Sequence, residues 1–132
     1  MEKQERRSSW NSIYKGVEID HDDVHIIVSS LPTRPAKLDE ILRIEASGSG
    51  WRLPTEKEAR VIRRFILRIN QLMDKNGANK ISHRATLWLH GSYGTADKLG
   101  DVQGRIFSMR FGICCWNWWW IERDFRLVRT VD

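Results

Sequence analysis

Residues 50–77, GWRLPTEKEARVIRRFILRINQLMDKNG, leave the chain little choice but helix. Thr55 precedes the run and can accept a hydrogen bond from the third helical amide. Glu58, three positions on, can reach back to the Thr55 amide, completing a capping box. Glu56 and Glu58 put negative charge at the positive end of the helix dipole. Ile62, Phe65, Ile66, Ile69, Leu72 and Met73 recur at helical spacing and form one apolar face. Gly77 supplies the left-handed stop. The pattern predicts a helix from about Glu56 to Asp74, packed on a sheet.

The segments around it read mostly as strand. Ile13, Val17 and Ile19 are strand candidates, and Val24 to Val28 is β-branched and apolar. The polar His21-Asp22-Asp23 between them suits a hairpin turn, since aspartate tolerates turn conformations. Pro32 and Pro35 each remove a backbone donor and break the chain. A short helix is expected after Pro35 from Ala36, Leu38, Ile41, Leu42 and Ile44, ended by EASGSG. Further on, ATLWLHGS, GRIFSMRF, ICCWNWWWIE and DFRLVRT are apolar runs separated by glycine or charge. Phe107, Met109 and Phe111 alternate with Ser108 and Arg110, the period of a half-buried strand. GSYGTADKLGDVQG reads as a loop. Residues 1–11 are polar without periodicity and are expected to be a flexible arm. Residues 12–132 then form a single domain.

Composition limits the functions open to such a chain. At 132 residues it suffices for one core. No apolar run is long enough to cross a bilayer, and MEKQERRSSW has no apolar stretch after its charges. The expectation is a cytoplasmic or virion-associated protein without a signal peptide. The formal net charge of +5 is a mild excess that serves solubility before it implies nucleic acid. Cys114 and Cys115 are adjacent, which strains a disulfide, so two free thiols are expected.

Two short motifs carry a resemblance. Trp51-Arg52-Leu53-Pro54-Thr55-Glu56-Lys57-Glu58 opens the long helix and Phe125-Arg126-Leu127-Val128-Arg129 closes the chain. Between them lie LWLHGSYG and GRIFSMRFG. In this order they resemble the C-type-lectin-like fold, in its bacterial and phage branch of formylglycine-generating-enzyme-like modules and small domains running from WRLPT to FRLVR. The resemblance spans residues 50–131. It implies an α+β fold in which an antiparallel or mixed sheet packs with two helices and the first and last strands pair. It makes Trp51 and Phe125 core anchors and lets Arg52 or Arg126 bridge to a carboxylate or to loop carbonyls. Leu53, Pro54, Thr55 and Glu58 complete the structural motif.

The departures from that family bear on function. Formylglycine-generating enzymes use two cysteines separated in sequence that meet in a cleft. Cys114 and Cys115 are consecutive, and in a strand they point to opposite faces. Calcium-dependent lectins use a Trp-Asn-Asp triplet, whereas Trp116-Asn117 is followed here by Trp118. Neither chemistry is expected, and no cofactor or metal is assigned. His21, Asp22, Asp23 and His25 have ligand-like composition but read as turn and strand. A Ser92, His90 and Asp97 triad lacks a nucleophile elbow. Lys57, Arg60, Arg63, Arg64 and Arg68 make a basic helix face, read as solvated, with phosphate binding as its alternative.

The remaining feature is CCWNWWW, residues 114–120, which holds four of the seven tryptophans. In a strand Trp116, Trp118 and Trp120 point one way and Cys115, Asn117 and Trp119 the other. A sheet covered on one face cannot bury all four indoles. The resemblance puts ligand-facing strands and loops just before the last strand. The expectation is therefore a non-enzymatic recognition or assembly module contacting its partner through Trp116, Asn117, Trp118, Trp119, Trp120 and Tyr93. A protein partner or self-association is expected, in a setting such as a phage-like virion structural, decoration or receptor-binding protein. A calcium-independent carbohydrate-binding domain, a nucleic-acid-binding protein using the basic helix, and a degenerate formylglycine-generating-type enzyme are the alternatives.

Overall fold

A computed structural model describes residues 8–31, 35–90, 94–95, 102–118 and 120–131. The fold is α+β, with two antiparallel sheets and three helices among the described residues. The first sheet contains β1 (Ser8–Asn11), β2 (Gly16–His21), β3 (Val24–Ser29) and β8 (Val128–Thr130), in the order β1-β2-β3-β8. The second is built on β6 (Val102–Ser108). β4 (Thr86–Trp88) and β5 (Gly94–Thr95) pair with β6, as does β7 (Cys114–Trp118).

The β2–β3 hairpin turns at Asp22-Asp23, with Asp22 in the left-handed region at φ 53°. Val17, Ile19 and His21 share one face with their partners Val28, Ile26 and Val24, and all six are buried. Ile13, expected in a strand, lies in the preceding turn and is exposed. The Asn11 side chain accepts from the Ile13 and Tyr14 amides, and this local turn diverts the chain. The expected arm of residues 1–11 overlaps the sheet, because Ser8–Asn11 pair with Gly16–Ile19. The first and last strands share this sheet but do not pair: β8 lies on β3, at the far side from β1.

Helix α1 (Leu38–Ala46) buries Leu38 and Ile41. The long helix arrives as two segments, α2 (Glu56–Arg64) and α3 (Ile66–Lys75), joined at Phe65. Phe65 has φ −100° and ψ 16°, away from the helical basin. Its ring is buried in edge-to-face contact with His21, at 5.0 Å between centroids. Hydrogen bonds still run through the joint, from the Phe65 amide to Val61 and from Ile69 to the Phe65 carbonyl. The capping box forms as the sequence predicts: the Glu58 amide donates to Thr55 Oγ1 and the Thr55 amide to Glu58 Oε1.

Two apolar clusters flank the second sheet. One joins the first sheet, α2 and α3 to Leu87, Leu89, Phe107 and Met109. The other gathers Ala36, Leu38, Ile41, Leu53, Trp88, Ile106, Phe125 and Leu127. Trp88 is fully buried in it and donates its indole N–H to the Ala36 carbonyl at 2.9 Å. Phe125 belongs to this core, and Trp51 packs against it half-buried.

The two motifs of the family resemblance meet. Arg52 and Val128 exchange backbone hydrogen bonds of 2.9 and 2.7 Å. The Arg52 guanidinium grips both Glu58 carboxylate oxygens, at 2.6 and 2.8 Å, and also donates to Thr130 Oγ1. Burial raises the Glu58 pKa, but Arg52 and the Thr55 cap outweigh it and hold this carboxyl below its ordinary value. Arg126 is buried and donates to the carbonyls of Ser29, Asn79 and Lys80. That desolvation lowers its pKa to about 10, against the opposing pull of Asp124. Arg52 thus takes the carboxylate and Arg126 the carbonyls.

Candidate interface on the aromatic strand

The β6–β7 hairpin begins with a strand that stops sooner than its alternation suggests. β6 runs to Ser108, and Met109–Phe111 form the turn. The Ser108 hydroxyl accepts from the Phe111 amide and the Ser108 carbonyl from Gly112, whose φ is 69°. Phe111 is thereby turned out to solvent, not placed in the core. Helix α2 braces the turn: Arg60 donates to the Gly112 carbonyl and Arg63 to the Met109 carbonyl. At its other end β6 starts inside the expected loop, which also contains β5.

Register sets the faces of β7. Cys114, Trp116 and Trp118 oppose Phe107, Arg105 and Gln103, while Cys115 and Asn117 oppose Ile106 and Gly104. Directly paired residues share a face. Trp116 and Trp118 therefore lie on the α2 side of the sheet, beyond the helix N-terminus. Trp116 is 52% exposed, Trp118 39% and Trp120 43%. Trp120 falls past the strand end, and its ring stacks on Trp118 at 5.1 Å with 12° between planes. Phe111 and Ile113, at the turn end of the hairpin, are 64% and 53% exposed. Among the described residues β7 pairs only with β6.

A charged cluster anchors the inner end of this surface. Glu56 accepts from Arg60, at 2.7 Å, and from Arg105. Arg60, Arg105 and the Cys114 thiol together lower its pKa to about 2. Burial and the neighbouring Glu56 carboxylate push the Cys114 thiol up, which keeps it protonated. Cys115 is exposed and points to the other face, and both cysteines are free.

Trp116 and Trp118 share a face of β7 by register, and Trp120, which lies past the strand rather than in it, reaches Trp118 by stacking. Asn117 is half-buried on the opposite face, and its Oδ1 accepts from the Trp118 amide at 3.0 Å. Trp119 and Tyr93 lie outside the described residues. Sequence reasoning missed Phe111, Ile113, Glu56 and Arg105. Phe111 was masked by the strand-like alternation, and the Glu56–Arg105 link is non-local.

The other constellations disperse. His21 and His25 lie on opposite faces of their hairpin, and His25 bonds Glu18 at 2.7 Å. Among the described residues no three His, Cys, Asp or Glu side chains are grouped to hold a metal. His90 bonds Glu45 at 3.0 Å, while Ser92 and Asp97 lie outside the described residues. No helix among the described residues is long and apolar enough to cross a membrane. No protein family, curated protein or solved structure matches this chain.

Proposed function

We propose that this chain is a non-enzymatic recognition module of C-type-lectin-like fold that docks a protein partner through β7. The observation that carries the reading is the exposed cluster of Trp116, Trp118 and Trp120 at the end of β7, a strand that among the described residues pairs only with β6. Clustered, exposed large apolar side chains commonly mark a contact surface. Tryptophan is also among the residues that most often dominate binding energy. The stacked Trp118 and Trp120 make one broad apolar block, which suits a pocket on a protein partner. The fold assignment is supported by the meeting of the WRLPT and FRLVR segments at Arg52 and Val128. A decoration or receptor-binding component of a phage-like particle is the setting this reading favours, by fold analogy alone.

Without its partner, such a surface is expected to self-associate weakly. Sedimentation velocity over rising concentration should show reversible growth in mass. Trp118→Ala should weaken it by about 2 kcal/mol, roughly 30-fold in Kd. The thermal midpoint should stay unchanged. A clean monomer whose indole fluorescence resists aqueous quenchers would overturn the reading. Stoichiometric copper with a redox-active thiol would instead favour the enzyme alternative.

A further inference from the structure

Two shallow depressions adjoin across helix α2. The first, of about 460 Å³, is lined by Lys57, Arg60, Arg63 and Arg64 with His21 and Asp22. The second, of about 480 Å³, is lined by Arg63, Arg84, Arg110 and His83, with Ile66 and Met109 contributing apolar wall. Arg63 lines both, so the two lie side by side on one cationic surface, hereafter the trough. The helix pattern alone contributes half of it. The other half comes from His83 and Arg84 before β4 and from Arg110 in the β6–β7 turn.

Counter-charge divides these cations into two groups. Lys57 pairs with Asp23 at 3.2 Å and Arg60 with Glu56 at 2.7 Å. Arg63, Arg64, Arg84 and Arg110 have no carboxylate partner among the described residues. Arg63 is held in place by the Met109 carbonyl, which fixes the guanidinium without neutralising it. Four uncompensated guanidiniums on one face repel one another, and an external anion relieves that repulsion.

We propose that this trough binds the phosphodiester backbone of nucleic acid without regard to sequence. Arginine predominates, and its planar fork matches phosphate oxygens in a bidentate way. Two neighbouring depressions suit a linear repeat of charges better than one small anion. Val61, Ile66 and Met109 line the trough with aliphatic surface, which reads no base edge. The aromatic strand is not needed for this contact, so the inference stands apart from the docking role of β7.

Fluorescence anisotropy of the full chain with a labelled random duplex tests it. Four released counterion sites give a log–log salt slope near about −3.6, on the order of 100-fold weaker binding from about 50 to about 200 mM salt. Arg84→Gln with Arg110→Gln removes two exposed contacts and should halve the slope, leaving about a ten-fold loss. The thermal midpoint of that variant should be unchanged. Should it fail to fold, Arg64→Gln is expected to lower the slope by about 0.9 on its own. Trp116→Ala with Trp118→Ala should leave binding intact. No binding at the lower salt overturns the proposal, as does a slope untouched by the arginine changes. Polyglutamate bound as tightly as the duplex also overturns it, in favour of an acidic protein surface.

Discussion

Glu56 sits where helix α2, strand β6 and strand β7 come together, and its charge serves all three. It accepts from Arg60 on its own helix and Arg105 on β6, with the Cys114 thiol of β7 alongside. Its pKa, lowered to about 2 from an ordinary 4.5, links stability to pH. A carboxyl with a depressed folded-state pKa stabilises the fold above its unfolded pKa and loses that contribution on acidification. The loss should therefore fall between about pH 4.5 and pH 2. Thermal melts across that window should show the midpoint of the wild type falling more steeply than that of Glu56→Gln. Parallel curves for the two proteins would contradict the assignment. At this scale the sequence was informative wherever the partner is near in the chain. Thr55 and Glu58 announced their reciprocal cap because three residues separate them. Arg105 gave no such sign, since its carboxylate lies on a helix far away in sequence.

Among the elements, the β6–β7 hairpin depends on an absence of side chain. A methyl group on Gly104 would lie 2.6 Å from Leu38 Cδ2 and 2.8 Å from Trp88 Cζ3, both fully buried. Neither neighbour has room to retreat in a close-packed cluster. Gly104→Ala is expected to destabilise the protein by about 1–3 kcal/mol, the usual cost of overpacking. Urea denaturation would measure it, and an unchanged midpoint would show that the cluster yields. The same hairpin marks the limit of pattern reading. Alternation through Phe107, Met109 and Phe111 predicted one strand, yet the Ser108 side chain and Gly112 turn the backbone before the pattern ends. The long helix was legible in its cap, apolar face and stop. Its joint at Phe65 was not, because that ring takes its position from His21 on a distant strand.

For the whole molecule, the order of strands is the part that sequence reasoning could not supply. Each strand advertised its own apolar face, but its neighbours are chosen by packing across the fold. β8 shows this well: it pairs with β3, and Arg52 crosses to it from before α2. Removing residues 128–132 would strip the edge from β3, delete buried Val128 and leave Arg52 without its backbone partners. Circular dichroism of that truncated chain is expected to show no cooperative melt, whereas a melt near that of the full chain would mean the first sheet holds without β8. The closing contacts also impose an order in time. Arg126 reaches the Ser29 carbonyl across 97 positions of chain. During synthesis the β2–β3 hairpin therefore leaves the ribosome long before the strand that covers its flank. Until then an apolar β edge is open to misplaced pairing. Yield in a cell should accordingly respond to translation speed and chaperone supply more than the stability of the finished fold would suggest.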